Sequence, residues 1–188
     1  AGQADMVVVG AEVLLRGDLT ESQLINYINR VKTELPGIPV TTNDVYSVFI
    51  SHPNVVNAID LVLANYYPYW EGIKVTYAIS NLHKYHKQVK AIAGGKEVIV
   101  GEVGWPSDGN TIGEAIPSLD NASYHFLNFV SWARANSVSY FYFTSLDESW
   151  KALYEGPQGA HWGIWDKYGN MKLGMENVFE GKYIMLNQ

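Results

Sequence analysis

Two glutamates stand directly after apolar runs that end in glycine. The run VIVG (98–101) is followed by Glu102, and the run VVVG (7–10) is followed, after Ala11, by Glu12. In a parallel sheet the carboxyl ends of all strands lie on one face, and the active sites of such folds are built there. A pair of facing carboxylates is the arrangement that cleaves glycosidic bonds. The alternative interpretation is that each glutamate only enters solvent where its strand ends.

The hydrophobic pattern indicates which elements would position these glutamates. Short apolar runs predict five strands: Val7–Val9, Ile38–Thr42, Leu61–Tyr69, Val98–Val100 and Ser139–Phe143. The segments between them predict helices: one capped by Thr20 with Gln23 and stopped by Pro36 and Gly37, one broken near Pro53, and then Tyr77–Ala93 and Asn121–Asn136. A hairpin is expected around Tyr168, Gly169 and Asn170. Strands that alternate with helices indicate an α/β fold with a parallel sheet, and residues 1–188 contain no linker, which predicts a single domain.

The composition excludes several classes of function. The chain has 188 residues, a net charge of −6 and no cysteine. An acidic chain does not suit nucleic acid or an anionic membrane, and the sequence lacks a run of about 18 apolar residues that would span a membrane. His83 and His86 can share a helix face, but no third ligand accompanies them, and there is no phosphate-binding glycine loop. We therefore expect neither a metal nor a cofactor.

The segment around Glu102 resembles the signature of a known family. VIVGEVGWPSDG (98–109) is similar to the nucleophile segment of glycoside hydrolase family 17, the β-1,3-glucanase family, in which Gly-Trp-Pro-Ser follows the glutamate after one small residue. VVVGAEVLLRGDLT (7–20) resembles the acid/base segment, and LANYYPYW (63–70) resembles the Asn-x-Tyr-Pro-Tyr segment. The stretch from Ser145 to Lys172 resembles the end of the barrel. The resemblance covers the whole chain, and within the family the chain most resembles the bacterial branch.

This resemblance implies a (β/α)8 TIM barrel, a fold of about 250 residues. The chain would begin at the fourth strand and supply about five βα units, so that the barrel would be incomplete. The first three units would be a separate or missing piece, or the chain would be a fragment or an engineered form. Two positions depart from the family: Ala11 replaces an asparagine that hydrogen-bonds the sugar's 2-hydroxyl, and Ser149 stands where proline is common.

The resemblance also implies a glycosidase, either an endo-β-1,3-glucanase or a β-1,3-glucanosyltransferase. Glu102 would be the nucleophile and Glu12 the acid/base of a double displacement that retains the anomeric configuration. The glycosyl-enzyme would be resolved by water in hydrolysis or by a sugar in transglycosylation. The substrate would be a β-glucan oligosaccharide or polysaccharide.

Further residues are assigned to the sugar site on the same grounds. Tyr67 is expected to hydrogen-bond and orient Glu102, the alternative being a core tyrosine with its hydroxyl at the rim. Trp105 is expected to form a stacking floor for a pyranose ring. The remaining candidates for lining the groove are Asn65, Tyr69, Trp70, Trp162, and the pair Glu148 and Lys151, which could instead be a solvated surface ion pair.

Two other kinds of protein remain open from the sequence. One is a carbohydrate-binding remnant that keeps the glutamates and aromatic residues without turnover. The other is a half-barrel scaffold that self-associates through exposed strand edges. The first residues lack a secretory signal, Ala1 resembles a cut end, and the family resemblance favours a periplasmic or secreted location.

Overall fold

The computed structural model describes residues 4–184, and within them the chain divides into two compact units. The first unit consists of the residues up to Tyr66 together with Lys84–Gly101. The second unit consists of Tyr67–His83 together with the residues from Glu102 onward. The assignment of residues 1–188 to a single catalytic domain stays a prediction.

A four-stranded sheet with the order β1-β2-β3-β4 is the framework of the first unit. Its strands are β1 (Val7–Ala11), β2 (Val40–Val45), β3 (Val62–Tyr66) and β4 (Val98–Val103), the last of which ends in the second unit. β1 pairs with β2, and β2 with β3, in parallel. These are four of the five predicted strands, and the α/β prediction with a parallel sheet is confirmed.

The fifth predicted strand, Ser139–Phe143, is wrong as a regular strand. Only Tyr140 in this segment has a bridge partner, and the other residues are irregular. Aromatic residues favour extended backbone, but a strand also needs a continuous ladder with a neighbour. The Phe143 N–H donates to the Val103 carbonyl at 2.8 Å, whereas the next N–H, that of Thr144, donates to the Trp162 carbonyl of a different segment at 3.2 Å.

Helices connect and cover the strands. They are α1 (Glu21–Glu34), α2 (Tyr46–Ser51), α3 (Pro53–Ala58), α4 (Val75–Ile92), α5 (Leu119–Ala135), α6 (Ala152–Glu155) and α7 (Glu176–Phe179), with 3₁₀ turns at Ser149–Lys151 and Pro157–His161. The predicted capping box is confirmed, because the Thr20 side chain accepts from the Gln23 N–H and the Gln23 side chain accepts from the Thr20 N–H. The predicted break at Pro53 is the boundary between α2 and α3.

Each unit has its own apolar core. In the first unit α1 contacts β1, β2 and α3, and it buries Leu24 and Ile28 completely. In the second unit α5 buries Phe126 and Phe129. Burying a large apolar side chain is worth about 1.5–3 kcal/mol, so these positions fix how the helices lie on their cores.

The end of the chain forms the predicted turn. Trp165 and Met171 make an antiparallel bridge, and the Asp166 N–H donates to the Asn170 carbonyl at 2.8 Å. The Asp166 carboxylate accepts from the N–H groups of Tyr168 and Asn170 at 2.8 and 2.9 Å, which closes the turn. Among the described residues, the search for a helix of membrane-spanning length and hydropathy gives none.

His125 is a buried titratable group in the core of the second unit. Its ring stacks on Phe129 with the centroids 6.4 Å apart, and its Nδ1 lies 3.4 Å from the Tyr142 hydroxyl. Complete burial lowers the pKa of His125 to about 3, because the imidazolium cannot be hydrated there. The side chain is therefore neutral in the folded chain at ordinary pH.

Replacing His125 with leucine is expected to reduce the amount by which the free energy of unfolding falls in acid. The unfolded chain, with its histidine pKa at 6.5, binds one more proton than the folded chain between pH 6.5 and about 3, so stability falls as the pH falls through this window. At pH 4.5 the loss from this group is about 2–3 kcal/mol. Urea unfolding at pH 7.0 and 4.5 measures it for both chains, and equal losses in wild type and His125→Leu would contradict the assignment.

Candidate active site

Glu12 lies on a bulge that ends β1. The register of the β1–β2 pair shifts between Val8 and Ala11, and Gly10 has a φ of +79°. Glu12 itself has a φ of +53°, a left-handed conformation that is uncommon for a residue with a side chain. Its N–H donates to the Asn43 carbonyl at 2.7 Å. A bulge of this kind re-aims one side chain at the end of a strand, and here that side chain is the predicted acid/base.

Two buried asparagines form an amide pair next to the Glu12 carboxylate. Asn43 Nδ2 donates to Asn65 Oδ1 at 2.7 Å, and Asn65 Nδ2 donates to Asn43 Oδ1 at 2.8 Å. The same Asn65 nitrogen donates to Glu12 Oε1 at 2.9 Å. Asn65 is 0% exposed, and in this structure its amide contacts the glutamate and the second amide. Its contact with sugar stays a prediction.

Gly101, the residue before Glu102, provides the space for this amide pair. A Cβ atom at position 101 would overlap Asn43 Nδ2, Asn65 Oδ1 and Leu63 Cγ. The glycine that ends the apolar run therefore has a packing role: it allows the two amides to approach the β4 backbone.

Asp44 is a second buried carboxyl beside the Glu12 turn. It accepts from the Leu14 N–H at 3.2 Å and from the Val45 N–H at 2.9 Å. Burial is the main cause that raises the pKa of Asp44, and the charge of Glu12 raises it further. Sequence reasoning missed both Asn43 and Asp44. The available signal was the polar sequence TTND inside a strand whose first five residues are all buried.

Tyr67 and Glu102 are in direct contact in the second unit. The Tyr67 hydroxyl donates to Glu102 Oε2 at 2.6 Å, which is the short distance typical of a hydrogen bond to a carboxylate. The Tyr67 ring is held edge-on by Phe143 and Trp162, at centroid distances of 6.0 and 5.5 Å. The predicted contact is present, and its role in orienting a nucleophile stays a prediction.

Trp105 does not offer its ring to a ligand in this structure. It is 1% exposed, its indole N–H donates to the Ile116 carbonyl at 3.1 Å, and its ring packs on Tyr69 and His125. Its role as a stacking floor stays a prediction, because in this structure the ring is a core side chain. The physical reason is that the Gly-Trp-Pro-Ser segment turns inward: an added Cβ at Gly104 would overlap the Phe143 carbonyl.

Two other predicted groove residues are also buried. Tyr69 is 0% exposed and donates its hydroxyl to the Asn110 carbonyl at 2.5 Å. Trp162 is 2% exposed and donates its indole N–H to Glu155 Oε2 at 2.9 Å. Their role as groove lining likewise stays a prediction, and the polar end of each ring has a hydrogen-bond partner within the second unit. Trp70, which is 39% exposed, keeps free ring surface.

Glu148 and Lys151 form an ion pair with a distance of 2.5 Å between Oε2 and Nζ. The Lys151 side chain is only 12% exposed, and its ammonium lies 3.9 Å from the centroid of the Phe143 ring. A desolvated cation over an aromatic face is held more firmly than a surface lysine. The alternative of a fully solvated surface pair is therefore disfavoured, and the Phe143 ring that Lys151 contacts also packs on Tyr67.

The histidines of α4 have separate aromatic partners. His83 Nδ1 accepts from the Trp132 indole N–H at 3.0 Å. His86 Nδ1 lies 3.2 Å from the Tyr66 hydroxyl. Each ring is thus held by a contact to an aromatic side chain.

Comparison with known proteins assigns the family. A model described as the BtgE/BtgC glycoside hydrolase domain matches residues 1–163. Glucan 1,3-beta-glucosidase BGL2 of Candida albicans is 30% identical over 92% of this chain and 63% of its own length. A glucan 1,3-beta-glucosidase of Saccharomyces cerevisiae is 31% identical over 92% of this chain and 62% of its own length.

Solved structures agree with this assignment. The glycoside hydrolase family 17 beta-1,3-glucanosyltransferase of Rhizomucor miehei has a TM-score of 0.84 and 34% identity, over 92% of this chain and 63% of that chain. An active-site mutant of it, in complex with laminaritriose, has the same TM-score and identity, over 93% and 64% of the two chains. An endo-laminarinase from Formosa Hel1_33_131, at 18% identity and a TM-score of 0.78 over 93% of this chain and 58% of that chain, supports the fold alone.

The fold is thus part of a TIM barrel of the glycoside hydrolase class, as the sequence predicted. The chain belongs to the BtgE/BtgC glycoside hydrolase domain family. It spans less than two thirds of the length of the relatives named above. The two curated relatives and the Rhizomucor miehei enzyme are fungal, so the expected similarity to a bacterial branch is not supported by them.

Exchange of Gly101 for alanine is expected to destabilise the chain by about 1–3 kcal/mol, because the new methyl group overlaps the amide pair. Combining it with Asn43→Ala removes one of the overlapping amides. The two changes should therefore be less damaging together than the sum of their separate effects, by at least about 0.5 kcal/mol. Urea unfolding of the two single variants and the double variant measures this coupling, and strict additivity would contradict the contact.

Proposed function

We propose that this chain carries the catalytic glutamates of a retaining glycosidase that acts on β-1,3-glucan. The observation that carries the proposal is the 2.6 Å hydrogen bond from the Tyr67 hydroxyl to Glu102 Oε2. It fixes one oxygen of a half-buried carboxylate that follows the apolar part of a strand. Membership of the family and the activities named for its relatives support the choice of substrate.

Glu102 acts as the nucleophile in the proposed reaction. A carboxylate oxygen of Glu102 attacks the anomeric carbon, the glycosidic bond breaks, and a glycosyl ester forms. Tyr67 keeps the attacking carboxylate in one rotamer, which lowers the entropic cost of reaching the transition state. When the ester is later cleaved, the same phenol stabilises the carboxylate that leaves.

Glu12 acts as the acid and then as the base. It gives its proton to the departing glycosidic oxygen and then takes a proton from the incoming water or sugar hydroxyl. Asn65 donates to Oε1 of Glu12, which leaves Oε2 to carry the proton. The mechanism requires the two carboxyl groups to be about 5–5.5 Å apart.

Hydrolysis and transfer use the same carboxylates and differ only in the acceptor. Relatives named as glucosidases and one named as a glucanosyltransferase support both outcomes. We propose that Glu148 and Lys151 bind sugar hydroxyls, since the Glu148 side chain is 33% exposed and the ion pair holds both charged groups in place.

Two alternatives remain under this proposal. In a carbohydrate-binding remnant, Ala11 would be decisive, because a methyl group cannot hydrogen-bond the sugar's 2-hydroxyl. In a self-associating scaffold, the mass in solution would rise with concentration. We also propose a periplasmic or secreted location, which fractionation of the producing cells would test.

Replacing Glu102 with glutamine is expected to abolish turnover of laminari-oligosaccharides, with a loss on the order of 10⁴-fold. Mass spectrometry of the products separates hydrolysis, which gives shorter sugars, from transfer, which also gives longer ones. Glu34→Gln makes the same change at an exposed helix position and should leave the products unchanged.

Equal activity of wild type and Glu102→Gln would contradict the assignment of Glu102 as the nucleophile. Binding of the oligosaccharide by wild type without any product would favour the carbohydrate-binding alternative. If a chain shown to be folded neither binds the oligosaccharide nor turns it over, the proposed function of this chain on its own is overturned.

Removing the Tyr67 hydroxyl is expected to lower kcat about 10- to 100-fold while changing KM little. A hydrogen bond to a charged group is worth about 1.5–3 kcal/mol, and this one acts on the nucleophile rather than on the sugar. Steady-state kinetics of Tyr67→Phe test this. The control is Tyr77→Phe, which loses the same atom at a 60% exposed position. A Tyr67→Phe variant with the wild-type kcat would refute the orienting role.

A further inference from the structure

Lys172 is a buried lysine in the second unit, outside the residues that contact Glu102. Its side chain is 7% exposed, and its ammonium lies 2.6 Å from Asp147 Oδ1, whose side chain is 9% exposed. The ammonium also donates to Ser107 Oγ at 2.8 Å and to the His161 carbonyl at 3.2 Å. A lysine ammonium has three N–H donors, and this lysine has three acceptors.

Burial lowers the pKa of the Lys172 ammonium, and the hydrogen bond and charge of Asp147 oppose that shift. A buried ion pair of this kind is not the most stabilising choice, because apolar side chains of similar volume often stabilise a fold equally well or better. The ammonium instead makes directional contacts, because its three hydrogen bonds hold acceptors from three segments at one point.

Asp147 makes further contacts to the segment that contains His161. Its Oδ1 also accepts from the Gly163 N–H at 2.8 Å, and its own N–H donates to the Trp165 carbonyl at 3.0 Å. The contact is close enough that a Cβ at Gly163 would overlap the Asp147 nitrogen. The Ser107 N–H in turn donates to the His161 carbonyl at 2.9 Å.

The segments joined in this way are those that bear the proposed site. Ser107 ends the Gly-Trp-Pro-Ser stretch that follows Glu102, and Asp147 directly precedes Glu148. We propose that Lys172 and Asp147 are positioning residues, which hold the loop after the nucleophile and the Glu148–Lys151 segment in register. The consequence for turnover rests on the proposed function, whereas the consequence for the two segments does not.

The decisive comparison is between removing one charge and removing both. Lys172→Met leaves Asp147 buried and unpaired, so the urea midpoint should fall sharply. Lys172→Met with Asp147→Asn removes both charges and keeps an acceptor for Gly163, so most of the lost midpoint should return. The positioning contacts to Ser107 and the His161 carbonyl stay absent in both variants.

We expect the double variant to recover stability without recovering function. Its kcat/KM on laminari-oligosaccharides should remain about 10- to 100-fold below wild type, since small misplacements in a site have effects of this size. Hydrogen–deuterium exchange should be at least about 10-fold faster at residues 105–109 and 147–151, because the Lys172 contacts that hold both segments are lost. Lys172→Arg, which keeps the charge and donors, should restore part of kcat/KM.

The matched control is Lys182→Met, the same substitution in an ion pair with Glu180 whose side chains are 61% and 55% exposed. It should change neither the exchange of these segments nor kcat/KM. A double variant with wild-type exchange and wild-type kcat/KM would overturn the proposal and leave the pair a purely structural contact. If wild type has no turnover, the proposed function fails, and the exchange data alone still decide whether the pair positions the two segments.

If the variants of Lys172 and Asp147 do not fold, Ser107→Ala tests the proposal instead. It removes one acceptor of Lys172 without creating an unpaired charge. We expect faster exchange at residues 105–109 with little change at 147–151, and unchanged exchange at 105–109 would overturn the proposal.

Discussion

The hydrogen-bonded amides of Asn43 and Asn65 are the interaction on which the predicted acid/base position depends. Each amide accepts from the other, and Asn65 also donates to Glu12. Both side chains are buried, so a lost partner would leave polar atoms without water and cost about 1–3 kcal/mol for each group. This one contact explains why β2 and β3 carry asparagine near their ends and why β4 has Gly101 before Glu102. The left-handed backbone of Glu12 is tolerated because Asn43 also accepts its N–H.

The second unit holds its carboxylate by a different means. Tyr67 reaches Glu102 from a cluster of aromatic rings, with Phe143 and Trp162 packed edge-on against it. Edge-on aromatic contacts are worth about 0.5–1.5 kcal/mol each beyond the burial of area, and they leave a ring few alternative positions. Lys151 adds its charge to the face of the Phe143 ring. The rings of this cluster therefore act as support for charged groups, which is why so many of them are buried.

The sequence was sufficient to predict four strands, the four longer helical segments and the Thr20 cap, because apolar periodicity and local capping residues determine them. It also indicated Glu12, Glu102 and Tyr67, since each lies where an apolar strand ends. It could not predict Asn43 or Asp44, because their partners lie on other segments and their polarity argues against a buried strand. Ser139–Phe143 has strand-like composition without a complete ladder. This error arose because the types of residues in a segment do not show whether a neighbouring strand pairs with it.

Burial of Trp105, Tyr69 and Trp162 changes how the proposed substrate would be recognised. While these rings are at most 2% exposed, none of their faces is open to a pyranose, and Trp70 is the predicted groove ring that keeps exposed surface. Recognition would then rely more on groups that hydrogen-bond hydroxyls, such as Glu148 and Lys151. A site built to pair with hydroxyls rejects a sugar that lacks one far more strongly than an apolar surface does, because its polar groups are left unpaired. The aromatic residues would thus contribute to specificity indirectly, by fixing the positions of the charged groups that we propose contact the sugar.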